Sequence, residues 1–159
     1  MSKLLATLTI FFIFLGCGFK PIYKITNNDT GIASYSVEVA NQVSREIIEE
    51  VNSTIVQDEN QKYKALLNIY EDLTPLIVNT NGTVAKYRIE IEIAYKLIQI
   101  DVDETISTGT TRGYAQYDVT ESEIVNEDTR KHMTKIATKN AIQLMVSKIQ
   151  SSISQANDN

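Results

Sequence analysis

The sequence predicts an α+β domain: a two-layer sandwich in which two helices pack on one face of a 3–4-stranded, mainly antiparallel sheet. Three observations support this. Residues 85–98 alternate apolar and polar side chains, an Asn-Gly pair precedes them, and the segments flanking the strands carry apolar residues at helical spacing. Alternation is typical of a strand with one buried face, and Asn-Gly favours a hairpin. Packing both helices on the apolar face of the sheet buries all three apolar surfaces.

The first helix is predicted over residues 37–56, with Ser36 as its N-cap. Apolar residues recur there every four positions, and charged residues fill the other side, as expected for a helix with one buried face. The recurring residues are Val39, Val43, Ile47, Val51 and Ile55. A short strand over residues 32–35 is a further possibility.

Three strands are predicted next. The first covers residues 63–73 and has apolar residues at alternate positions, broken by Glu71. The second covers residues 85–98, after the turn at Asn81-Gly82. The third covers residues 105–119; it is rich in Thr and Tyr, which favours a place at an edge or against a partner. Glycines 109 and 113 in this strand indicate bulges or a close approach of backbones.

The last helix is predicted over residues 121–154, with Thr120 or Ser122 at its start. Thr120 and Glu123 have the spacing of a capping box. The predicted buried stripe consists of Met133, Ile136 or Ala137, Ala141, Leu144 or Met145, Ile149 and Ile153.

The N-terminus has the pattern of an export signal. Lys3 is followed by about a dozen apolar or small residues, which fits a signal peptide over residues 1–16. A bilayer-spanning helix needs about 20 such residues. Residues 14–17 (FLGC) resemble a lipobox, in which cleavage leaves Cys17 to carry lipid. An ordinary secretory signal followed by a chance cysteine is the alternative.

The lipid-modified N-terminus is predicted to lead into a tether. Residues 17–31 contain Pro21 and a polar cluster at 26–30, and residues 32–159 then form one domain. Gly18 stands where an Asp would retain many lipoproteins at the inner membrane, so it favours the outer membrane.

Composition excludes several functions. The net charge is −5 without a basic stripe, so nucleic acid is not an expected partner. One cysteine and one histidine cannot form a His/Cys zinc site, and we expect no metal or cofactor. His132 is the single side chain suited to acid–base work near neutral pH, with an exposed helix histidine as the alternative. No catalytic motif accompanies it, so the protein is not expected to be an enzyme.

Several segments, in order, resemble the LptE family of lipopolysaccharide-assembly lipoproteins, in its alphaproteobacterial form. Residues 17–23 (CGFKPIY) are similar to the family's C-G-F-[RK]-P-L-Y start, and residues 81–88 (NGTVAKYR) to its D-G-T-A-x-R-x-R hairpin. Further similar segments are residues 63–65 (YKA), 94–97 (AYKL), 109–112 (GTTR) and 117–119 (YDV). The family's first strand, between the tether and the first helix, is poorly marked in this sequence.

The resemblance implies a function in lipopolysaccharide transport. A member of this family sits partly inside the LptD β-barrel of the outer membrane as a plug. The pair inserts lipopolysaccharide into the outer leaflet. Expected partners are therefore an LptD-type barrel, lipopolysaccharide, and the periplasmic face of the outer membrane, reached through the lipid anchor.

Lipopolysaccharide carries phosphates, so cations near the strand ends are candidate contacts. These are Lys86, Arg88, Arg112 and Lys131. Arginine binds phosphate with two parallel hydrogen bonds. The alternative is that these cations are solvated and paired with Glu90 and Glu92.

Two other classes of function are open. A lipoprotein that regulates a peptidoglycan synthase from the outer membrane also carries a small tethered α/β domain, although its linker is usually longer. A periplasmic hydrolase is disfavoured because no catalytic set is found.

Overall fold

The computed structural model describes residues 35–55 and 61–157. These residues form four strands and two helices. In chain order they are β1 (Tyr35–Val39), α1 (Arg45–Thr54), β2 (Tyr63–Val78), β3 (Val84–Gln99), β4 (Glu104–Asp118) and α2 (Glu123–Asn157).

The four strands form one mixed sheet in the order β1-β2-β3-β4. The pairs β2–β3 and β3–β4 are antiparallel, and β1 is parallel to β2. A parallel pair needs a crossover connection, and α1 lies in it. The predicted α+β class and the mainly antiparallel sheet are confirmed.

Burial alternates along the strands and defines the two layers. In β3, every odd-numbered residue from Ile89 to Leu97 is buried, whereas the even-numbered residues are not. This apolar face joins one core with Ile47, Val51 and Ile55 of the first helical segment and with the buried side of α2. Both helices therefore cover the same face of the sheet, as predicted, and no element within residues 35–55 and 61–157 covers the opposite face.

The predicted helix over residues 37–56 is wrong in its first half. Residues 35–39 form β1, and α1 begins at Arg45, with Ser44 rather than Ser36 as its N-cap. The four-residue spacing through Val39 and Val43 matched a helix. The pattern that decided the structure was the two-residue spacing of Tyr35, Val37 and Val39 beside β2.

Burial also raises the pKa of Tyr35 to about 12, so its phenol stays neutral.

The edge of the sheet formed by β1 is extended by one side chain. Asn41 Nδ2 donates to the Ile69 carbonyl at 2.6 Å, and the Ile69 N–H donates to Asn41 Oδ1 at 2.9 Å. The asparagine side chain thus makes the two bonds that a further strand residue would make. Pro75, six residues along β2, faces the same edge and has no N–H to offer another strand.

The β2–β3 hairpin is longer than predicted. The expected strand over residues 63–73 continues to Val78, through register shifts at residues 75–78. The turn lies where the Asn-Gly pair placed it: Gly82 has φ 86°, and Asn79 N–H donates to the Thr83 carbonyl at 2.8 Å. The bulge absorbs the proline without ending the strand.

The last helix begins differently from the predicted capping box. Its first residue is Glu123, and Thr120 pairs with Asn126 rather than with Glu123. The buried stripe includes Ala137, Ala141, Met145, Ile149 and Ile153, as predicted. It also includes Ile142, while Ile136 and Leu144 are exposed.

Glu71 interrupts the apolar face of β2, and α2 provides its partners. Thr134 Oγ1 donates to its carboxylate at 3.0 Å, and Arg130 lies 3.6 Å from it. Thr134 is itself buried. The polar interruption in the strand pattern is therefore matched by a polar position in the helix, at the boundary of the core.

Glycine 113 allows the backbone of α2 to lie directly on β4. A Cβ at this position would overlap the carbonyl oxygen of Ala137 and lie 2.5 Å from the amide nitrogen of Ala141. Beside it, Thr111 Oγ1 donates to the Ala141 carbonyl at 3.0 Å. The predicted close approach of backbones is confirmed.

The same helix also covers the outer edge of β4. Asn140 Nδ2 donates to the Tyr114 carbonyl at 3.3 Å, and Lys148 Nζ donates to the Thr110 carbonyl at 3.1 Å. The prediction that the third strand lies at an edge is confirmed.

We predict that Gly113→Ala destabilises the domain, because the added methyl group must push a helix backbone away from the sheet. Overpacking of this kind costs about 1–3 kcal/mol. Chemical denaturation of the purified protein measures the loss.

Gly109→Ala is the matched control in the same strand. Its Cβ would meet the end of the Tyr95 side chain, 2.6 Å from the phenol oxygen, and a side chain can move aside more readily than a helix. An equal loss in both variants would contradict the proposed role of Gly113.

Candidate functional site

The open face is the side of the sheet opposite the helices. It consists of the even-numbered side chains of residues 64–74 in β2, 86–98 in β3 and 108–118 in β4, together with Glu38 of β1. Its charged residues within the described part of the chain are Lys64, Lys86, Arg88, Lys96 and Arg112, and Glu38, Asp72, Glu90, Glu92 and Asp118. Five cations and five carboxylates give this face no formal charge, although the whole chain carries −5.

The centre of the open face is an ion-pair network around Arg112. This residue lies opposite Glu92 across the β3–β4 ladder. Its Nε donates to Glu92 at 2.7 Å and lies 3.1 Å from Glu90. The hydrogen bond to Glu92 and the attraction of its charge raise the pKa of Arg112. The positive charge of Arg112 is thus already matched by two carboxylates.

Arg88 is less fully paired than Arg112. Its nearest carboxylate oxygen, on Glu90, is 4.0 Å away. Its guanidinium carbon lies 5.7 Å from the centre of the Tyr114 ring, a cation–π geometry. Its Nε is buried and has no hydrogen-bond partner among the residues that the structure describes. Of the two arginines, Arg88 has the greater capacity to bind another group.

The structure brings three of the four predicted cations together. Lys86 lies on the open face with Arg88 and Arg112, at the end near the hairpin, and pairs with Asp118 at 3.1 Å. Lys131 lies on α2, in the layer behind the sheet, and is 3.5 Å from Glu127. Lys131 therefore does not extend the group on the open face. Cys17, the signal peptide and the tether lie outside the described residues.

Two exposed tyrosines were not among the predicted site residues. Tyr70 is 57% exposed and Tyr114 is 48% exposed. Tyr70 lies opposite Glu92, and Tyr114 lies opposite Glu90, so both border the ion-pair network. In the sequence, the even-numbered position of Tyr70 in its strand was the signal that could have placed it on the open face.

The described residues contain no group of three His, Cys, Asp or Glu side chains that could hold a metal ion. His132 lies exposed on α2. Among the described helices, none is both long enough and apolar enough to cross a membrane.

No family model and no curated protein matches the chain. Several solved structures share its fold. A proposed lipoprotein from Caulobacter crescentus CB15 is 16% identical, with a TM-score of 0.58 over 81% of this chain and 95% of the other. Rare lipoprotein B from Shewanella oneidensis is 13% identical, with a TM-score of 0.57 over 78% of this chain and 98% of the other. A minor lipoprotein from Acinetobacter baumannii is 11% identical, with a TM-score of 0.55 over 77% of this chain and 94% of the other.

The domain thus has a fold that these bacterial lipoproteins also have. At such low identities the likeness is one of fold. It covers nearly the whole of each matched chain.

Contact between the open-face cations and lipopolysaccharide phosphates stays a prediction. The different pairing of Arg88 and Arg112 predicts which of the two arginines contributes more to binding. We expect Arg88→Glu to weaken lipopolysaccharide binding by the purified protein more than Arg112→Glu, because Glu90 and Glu92 already neutralise Arg112. Titration against lipopolysaccharide in detergent measures both. Lys139→Glu on α2 is the control, with the same charge change away from the open face. Unchanged binding in Arg88→Glu would contradict the assignment.

Proposed function

We propose that the protein is an outer-membrane lipoprotein of the LptE type. It is held at the periplasmic face by lipid on Cys17 and plugs or assists an LptD-type β-barrel that inserts lipopolysaccharide into the outer leaflet. The combination of a lipobox and the CGFKPIY segment with a fold found in solved bacterial lipoproteins carries this proposal.

The described surface supports a plug. The interior of an outer-membrane barrel is polar, and the open face presents paired charges and tyrosine hydroxyls without a net charge. A plug also needs a rigid body, and the Gly113 contact and the Asn41 bonds fix α2 and the sheet edge. Such a role requires no catalytic group, and we propose none.

Lipid attachment gives the first test. We expect intact-mass analysis of the membrane-extracted protein to show a chain that begins at Cys17 and carries diacylglycerol. Cys17→Ser should leave the chain uncleaved, because the signal peptidase cuts the peptide bond before the cysteine only after lipid has been added to the thiol. A mature chain without lipid would show an ordinary secretory signal and contradict the anchor.

Capture of the partner gives the second test. We expect an affinity-tagged full-length chain to co-purify a large β-barrel protein from detergent-solubilised outer membranes. Mass spectrometry of the captured proteins identifies it. A tagged, unrelated outer-membrane lipoprotein controls for capture through the anchor alone. Recovery of a peptidoglycan synthase without a barrel would overturn the proposal and support the alternative regulator.

A further inference from the structure

We infer that the middle of the open face is the surface that docks on the inner wall of the β-barrel. This inference rests on the proposed function and adds the side of the domain that makes the contact. The middle consists of two neighbouring cross-strand rows: Tyr70, Glu92 and Arg112 in one, and Asp72, Glu90 and Tyr114 in the other.

Exposure alone would not identify an interface, because many antiparallel sheets keep one face in water. The composition of these rows does. Protein interfaces are enriched in tyrosine and arginine, which dominate their binding energy. Here two half-exposed tyrosines border one arginine that has two carboxylate partners.

The charge pattern favours a protein over a phosphate-bearing lipid. A phosphate surface attracts unpaired cations, whereas each row contains carboxylates that would repel it. Asp72 and Glu90 even lie directly opposite each other in the β2–β3 ladder. Their mutual repulsion is offset by Arg112, 3.1 Å from Glu90, and by the Thr74 hydroxyl, which donates to Asp72 Oδ2 at 2.6 Å, but no cation of the described residues pairs with Asp72. A polar wall that places its own cations and hydroxyl groups beside Asp72 complements this pattern.

The size of the face is also suitable. Three long strands, at about 3.4 Å per residue and about 4.8 Å apart, give the whole open face an area of roughly 700 Å², of which the two rows are the centre. Each partner in a stable protein complex contributes about 800 Å². The helix side offers a less continuous surface, because α1 ends at Thr54 while α2 runs on to Asn157. Lys86 and Arg88, nearer the hairpin, are left as the candidate lipopolysaccharide contacts.

Site-specific photo-crosslinking in the full chain tests the orientation. We expect p-benzoylphenylalanine at position 70 or 114 to crosslink to the barrel. At Gln143, an exposed position on α2, it should not. Crosslinks from Gln143 alone would overturn this inference while leaving the barrel as the partner. Crosslinks from positions 70 and 114 to lipopolysaccharide or to a second copy of the chain would also overturn it. No barrel crosslink at any position, with no barrel captured, would instead overturn the proposed function.

A charge swap tests whether the pattern of charges, and not only their pairing, matters to the partner. Glu92→Arg combined with Arg112→Glu keeps the net charge and an ion pair between β3 and β4, but reverses its direction. The new arginine at position 92 can pair with the glutamate at position 112 and with Glu90, so we expect the double variant to stay folded and to capture at least about tenfold less barrel. The single Arg112→Glu variant, which removes the ion pair, should also capture less barrel. Wild-type capture by a folded double variant would contradict the docking surface.

Discussion

The contact between the backbone of α2 and Gly113 is the constraint on which the rest of the domain depends. A glycine there lets the helix lie on the sheet without intervening side chains, and Thr111 fixes it to the Ala141 carbonyl. With α2 at that distance, its apolar side joins the core, and Asn140 and Lys148 reach the edge of β4. One face of the sheet is thereby closed, and no element of the described residues covers the other.

Local patterns made the hairpin and β3 predictable. Asn81-Gly82 marks the turn, and the apolar alternation that follows it fits one structure only, because a shift of one residue would expose the whole apolar set. The first strand was not predictable in this way. Val39 and Val43 share a four-residue spacing with the helix that follows, and the pairing partner of β1 lies beyond that helix. In α2, Ile136 and Leu144 lie one position away from buried residues, so spacing alone could not decide between them.

The candidate site was predictable in part for a related reason. Lys86, Arg88 and Arg112 share a face because each occupies an even-numbered position in a strand. The partners of Arg112 depend on the β3–β4 register, which places it opposite Glu92 and which no local pattern defines. Lys131 was grouped with them by charge, yet it belongs to the helix layer. Tyr70 and Tyr114 carried no charge signal, and only the paired strands show that they border the same network.

The edges of the sheet bear on what happens when many copies are crowded together. Unpaired strand edges can template growth into fibrils. Here Asn41 uses the bonding groups of Ile69, Pro75 withholds a donor further along, and Asn140 and Lys148 take carbonyls of β4. The proposed lipid anchor would confine the chain to a two-dimensional surface, where it would meet its own copies far more often than in free solution. These side chains and the proline therefore oppose strand pairing between copies at both edges of the sheet.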